Sequence, residues 1–213
     1  HGDYLALSTW QKIELVDVSD PRRPAYLWSW EGVSNTGITC HTAFIDAEEF
    51  ESPRGDVLVL AAGWEGLRLF DLSDPTAPTP LGVYTAGDWV ADVDTIGTTV
   101  HAAVGGAGLV SLNVAEPASP QPLATYDVPG ATADLHPFGE LLYYSFYDTS
   151  DDLSLGNGFG SVRVPGAGEE LVAVTGAEVV YPVGPVTTLI GDDAHLYVAV
   201  EGLGLFVYEP DRN

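Results

Sequence analysis

The sequence predicts an all-β protein built from a repeated antiparallel sheet, and three observations carry that prediction. A phrase of alternating apolar residues recurs along the chain. Each copy is flanked by period-two segments of β-branched and aromatic residues set between Gly, Pro and Asp. No segment carries the 3.6-residue periodicity of a long amphipathic helix.

The recurring phrase is clearest at Glu65-Gly66-Leu67-Arg68-Leu69-Phe70-Asp71-Leu72-Ser73-Asp74-Pro75, and returns as Glu201-Gly202-Leu203-Gly204-Leu205-Phe206. Further copies are Lys12-Ile13-Glu14-Leu15-Val16-Asp17-Val18-Ser19-Asp20-Pro21 and Gly108-Leu109-Val110-Ser111-Leu112-Asn113-Val114, with a degenerate one at Gly160-Ser161-Val162-Arg163-Val164. Equivalent positions fall at 13, 67, 109, 161 and 203, which are 54, 42, 52 and 42 residues apart. The unit is thus 42 residues long, with insertions of about 12 residues near Asp46 to Asp56 and about 10 near Asp148 to Gly158. Both insertions are polar and bear Gly or Pro, as lengthened surface loops do.

Within one unit, Val90 to Ile96 reads as a strand, Val100 to Val104 as the next, Leu109 to Val114 as a third and Leu123 to Val128 as a fourth. Gly105-Gly106 supplies a turn between two of them, and Glu116-Pro117 with Pro120 interrupts the ladder before the fourth. Four short antiparallel strands in roughly 40 residues is the blade of a β-propeller.

The chain then reads as a single domain over 1–213, with units at about 1–36, 37–87, 88–129, 130–183 and 184–213. By analogy with propellers sharing this motif order, the first unit opens on a second strand (Tyr4 to Ser8) and lacks an innermost one, and the last stops near Tyr208 before an outermost one. Such ends fit either a segment of a longer propeller of six or seven blades or a five-unit ring with one incomplete blade. The start at His1 and the absence of Met favour the first.

Two of the phrases, Leu15-Val16-Asp17-Val18-Ser19-Asp20-Pro21 with Pro24 and Leu69-Phe70-Asp71-Leu72-Ser73-Asp74-Pro75 with Pro78, resemble the LVIVD-repeat family of bacterial β-propellers. Pro80-Leu81-Gly82-Val83-Tyr84 and Pro122-Leu123-Ala124-Thr125-Tyr126 look like that family's following strand, and Ala91-Asp92-Val93 and Ala133-Asp134-Leu135 like its innermost one. The resemblance covers nearly the whole chain. It implies the fold and leaves the activity open.

Composition narrows the function. The chain has 31 acidic and 7 basic residues and a net charge of -24, against the Lys and Arg excess that nucleic-acid binding needs. Abundant carboxylates with a single lysine, Lys12, suit an exported protein: extracellular, cell-surface or periplasmic. No apolar run reaches the roughly 18 residues of a membrane helix. Cys40 is the only cysteine, which excludes an intramolecular disulfide and a multi-cysteine zinc site.

Aligning the units puts Asp92 and Asp134 at one repeat position, with His41 and Thr188 within a few residues of it in their own units. On innermost strands these four would meet at the mouth of the central channel, where carboxylates and an imidazole could hold a divalent cation or a polar ligand. The structural alternative is that a repeated Asp ties each inner strand to backbone amides nearby. In the second insertion, Asp148, Ser150 and Asp152 alternate as in a calcium loop, though the glycine and closing Glu of an EF-hand are missing; a solvated loop is the competing reading.

Other residues carry weaker signals. His1 could chelate copper only at a processed terminus. Cys40 and His41 are adjacent on a strand and point to opposite faces, so they cannot act as a nucleophile and its base. Trp28 and Trp30 share a strand face, and Trp64 and Trp89 stand near turns. These could line a glycan or protein surface, or wedge neighbouring sheets apart.

No G-x-S-x-G, phosphate-binding loop or H-E-x-x-H motif occurs. The sequence therefore points to a non-catalytic exported interaction scaffold, a component of a larger assembly with a protein partner, without a required cofactor. The alternative is a metal- or glycan-binding enzyme, a hydrolase or lyase with its site at the channel mouth, with calcium the cation to expect.

Overall fold

The computed structural model describes residues 2–8, 12–31, 41–51, 55–128, 130–149, 156–164, 172–173, 179–181, 185–192 and 194–209. His1, Trp10, Cys40, Ser150 and Asp152 lie outside them. Five antiparallel sheets follow one another along the chain, and no α-helix occurs among the described residues.

The first sheet has the order β1 (Tyr4–Ser8), β2 (Lys12–Asp17), β3 (Ala25–Glu31). The second runs β4 (His41–Ile45), β5 (Val57–Ala61), β6 (Leu67–Asp71), β7 (Thr79–Tyr84), and the third β8 (Val90–Ile96), β9 (Thr99–Val104), β10 (Gly108–Asn113), β11 (Gln121–Tyr126). In the fourth, β12 (Ala131–Phe138), β13 (Leu141–Tyr147) and β14 (Asn157–Arg163) are joined by two short strands that both pair with β14, β15 (Val172–Ala173) and β16 (Val179–Tyr181). The fifth is β17 (Val186–Gly191), β18 (Leu196–Val200), β19 (Gly204–Tyr208). The second and third sheets have the four antiparallel strands expected of a blade, the fourth has five, and the first and last have three each among the described residues.

Two local causes fix this pattern. The Asp-x-Ser-Asp-Pro phrase is turn chemistry: Asp17 Oδ1 accepts the Ser19 amide at 2.8 Å and Asp71 Oδ1 accepts that of Ser73 at 2.7 Å. Asp20 then accepts Arg22, and Asp74 accepts Thr76, so two successive side-chain turns reverse the chain after the third strand. Asn113 does the same for Ala115 in the third sheet. Hydrogen bonding from Ser19 and Thr76 holds the Asp17 and Asp74 carboxyls below the usual range. Just after each third strand, one backbone hydrogen bond also repeats: Val18 to Asp3, Leu72 to Asp56, Val114 to Thr98 and Val164 to Glu140.

Strand composition sets position in the sheet. β5 is apolar and buried at all five residues, as a strand covered on both faces must be. β7 and β11 carry Pro80 and Pro122 and are largely exposed, because proline removes a ladder donor and is tolerated at a sheet edge.

The chain divides into two compact units, His1–Val100 with Leu112–Gln121 and His101–Ser111 with Pro122–Asn213. In the first, Ile13 and Leu15 of β2 pack with Leu58, Leu60, Phe70 and Leu72. Trp28 and Trp30 close that core, both edge-on to Phe70 at 5.3 and 6.3 Å, so these two tryptophans pack between sheets. In the second unit, Tyr143 and Phe159 pack with Val186, Leu189, Leu196, Val198 and Val200. Among the described residues of the first insertion, Ala47–Glu49 forms a 3-10 turn, and Asp56 Oδ1 accepts the Ala47 amide at 2.9 Å.

Candidate functional site

The innermost strands β4 and β8 of the first unit place two of the expected residues side by side. His41 opens β4 opposite Ala61, and its Nδ1 is 2.7 Å from Asp92 Oδ1. The carboxylate is buried at 6% exposure while the imidazole is half exposed. Asp92 Oδ1 also accepts the Val93 amide at 2.8 Å. Two residues on, burial and the neighbouring Asp92 charge push the Asp94 carboxyl up to about 6, against the pull of the Thr95 amide. Thr95 in turn donates its hydroxyl to the Phe44 carbonyl at 3.0 Å, fastening β8 to β4.

In the second unit, Asp134 occupies the same repeat position with a different task. The register of β12 slips between Thr132 and Leu135, and such a bulge re-aims side chains. Asp134 Oδ2 accepts the Leu189 amide of β17 at 2.9 Å, while Thr132 Oγ1 donates to the Gly105 and Gly108 carbonyls. Thr188 is exposed on β17 and gives its hydroxyl to the Thr187 carbonyl at 2.7 Å. Asp134 thus makes a backbone tie of the kind a repeated Asp was expected to make. Asp148 is buried, with Oδ2 accepting the Gly156 amide and its own amide donating to Asn157, which closes the second insertion across residues outside the described set.

An aromatic pair lies at the same end of the first unit's strands. Gly63 and Val90 form an antiparallel bridge with hydrogen bonds of 3.2 and 3.1 Å in the two directions. The β5–β6 turn is closed by Ala62 N–H to Gly66 and Gly66 N–H to Gly63. A Cβ on Gly63 would stand 2.8 Å from the Trp89 ring, so the glycine lets that indole lie on the backbone. Trp64 meets Trp89 edge-on at 5.9 Å and 80°, and stays 61% exposed.

Sequence reasoning missed two polar clusters. His101 is 1% exposed on β9, with Nδ1 2.8 Å from Ser111 Oγ, and burial pulls it down to about 4. A His and a Ser ten residues apart on adjoining strands was the available signal. Asp192 accepts the amides of Ala194 and His195 and the Tyr197 hydroxyl, the last at 2.7 Å, which keeps its carboxyl well below the usual range. This is a turn cap built on the β17–β18 hairpin.

With this geometry in place, the likeness to solved structures is informative. The β-propeller domain of Cps50 (Swd1), described for Myceliophteria thermophila, superposes with a TM-score of 0.67 at 14% identity, over 99% of this chain and 63% of that one. The WD40 repeats of RRP9 give 0.61 at 12% identity, over 98% and 59%. The computationally designed Ika4 protein gives 0.58 at 12%, over 83% and 92%. The fold is that of a β-propeller. The chain spans about three-fifths of the Cps50 and RRP9 propeller chains. No protein-family model matches the chain, and no characterised protein matches it by sequence.

Proposed function

We propose that this chain is a non-catalytic propeller scaffold that binds a protein partner through the strand ends around Trp64 and Trp89. One observation carries the reading: a 61% exposed indole held against a second indole by a double hydrogen-bonded bridge. Large aromatic side chains fixed before binding lose little entropy on association and dominate interface energetics. Membership of the LVIVD-repeat class belongs to the same proposal and is supported by the doubled Asp turns after β2 and β6. Export is supported by the charge of -24 with a single lysine. A place in a larger assembly is supported by β19, which pairs only with β18 among the described residues and exposes Leu205 and Val207.

The test is affinity purification of native complexes with the wild-type chain and Trp64→Ala. A partner recovered with the first and lost with the second supports the reading. A partner retained equally by both, or none at native abundance, overturns it. Fractionation of the source cells decides export separately.

A second reading, a cation or glycan site on His41 and Asp92, is favoured by the 2.7 Å contact between them. Metal titration and a glycan panel on Asp92→Asn test it. Binding or turnover present in the wild type and abolished in the variant supports this reading; identical behaviour removes it.

A further inference from the structure

Acidic residues flank the tryptophan platform in the sequence. Glu65 follows Trp64 directly, and Asp88 precedes Trp89, accepting its amide at 2.7 Å. The half-buried Asp94 lies on β8, which begins at the residue after Trp89, whereas Asp92 on the same strand is buried against His41. Arg68, on the turn's own strand, pairs with Glu65 at 2.6 Å and lies 5.7 Å over the Trp30 ring, so the two charges offset one another and add no net charge to the platform. A cation above an indole face gains from the ring quadrupole, and nearby carboxylates add Coulomb attraction without moving. The chain as a whole supplies a long-range field of the same sign.

We infer that the Trp64–Trp89 platform takes a basic segment of its partner, with an Arg or Lys side chain laid over the exposed Trp64 indole and the carboxylate of Asp88 beside it. This rests on the scaffold reading above and names the chemistry of its partner. A neutral glycan could also stack on an indole, but it would draw nothing from the Asp88 carboxylate or the net charge. An acidic peptide or a phosphorylated one would be repelled by both.

The probe is a blocked heptapeptide with three arginines spaced by glycine, compared with its citrulline counterpart and with neutral oligosaccharides, at about 20 and about 200 mM salt. Tryptophan fluorescence and calorimetry follow the binding. The expected result is saturable binding of the arginine peptide alone, weakened at least tenfold at the higher salt and at least tenfold by Trp64→Ala. Trp64→Phe, which keeps an aromatic face, should retain more affinity than Trp64→Ala.

Equal binding to wild type and Trp64→Ala overturns the inference, because charge alone would then be responsible. Equal binding of the citrulline peptide, or binding of an oligosaccharide in its place, overturns it as well. If no peptide binds while the native partner is still lost on Trp64→Ala, the cationic occupant fails and the scaffold reading stands.

Discussion

A carboxylate oxygen of Asp134 accepts the backbone amide of Leu189 at 2.9 Å, joining the bulge of β12 to the innermost strand of the next sheet. The carboxylate is buried, and a hydrogen bond to a charged acceptor in that setting contributes more than a neutral one. Asp134→Ala should therefore lower unfolding stability by about 2–3 kcal/mol. Asp134→Asn, which can still accept the amide, should lose less. Chemical denaturation of the three proteins checks the order, and equal stability of wild type and Asp134→Ala would show that the bond contributes nothing.

His101 gives stability a pH dependence of known sign. Its folded value of about 4 lies below the ordinary 6.5, so the folded protein holds the neutral ring while the unfolded chain takes up a proton first. Stability from this group is complete above about 6.5, is lost as pH falls toward about 4, and changes no further below that; the full span is about 3 kcal/mol. In urea unfolding at several pH values, His101→Gln should close its stability gap with the wild type as pH falls through this window. A gap that stays constant would show that the imidazole does not titrate differently on unfolding.

Asp94 acts in the opposite sense. Its folded value of about 6 exceeds the ordinary 3.8, so its contribution is present below about 4 and is lost as pH rises through 6. Asp94→Asn should be more stable than the wild type above pH 6, by about 2–3 kcal/mol, and should lose that advantage near pH 4. Thermal unfolding of the pair at pH 4 and pH 7.5 is sufficient, and an advantage that does not depend on pH would exclude the titration.

Two glycines separate backbone strain from packing. Gly66 has a φ of +77°, and a Cβ there would stand 2.2 Å from the Tyr84 carbonyl oxygen; Gly87 has a φ of +81° with nothing within 4 Å among the described residues. Gly87→Ala should cost about 1–2 kcal/mol, the conformational term alone. Gly66→Ala should cost at least twice as much, because β7 must move away from β6. Similar midpoints for the two variants would mean that the outer strand yields freely.

The sequence by itself determined the repeat, the strands and the turns between them. Asp17, Asp20, Asp71 and Asp74 could be read directly, because each bonds an amide two residues away and needs no distant partner. Strand order within a unit was read by analogy with propellers of the same motif order, and the exposed β7 and β11 with Pro80 and Pro122 and the buried β5 agree with it. Only the tertiary structure decided what equivalent residues do. Asp92 and Asp134 share a repeat position, yet one meets the His41 imidazole and the other takes the Leu189 amide, since the facing strand differs. Trp28 and Trp30, on one strand face, close a core against Phe70, while Trp64, beside a turn, stands in solvent; their local sequence placed them but left packing and binding both open. Period-two patterns and side-chain turns act over a few residues, whereas burial, ion pairing and exposure depend on which distant strand folds against each side chain.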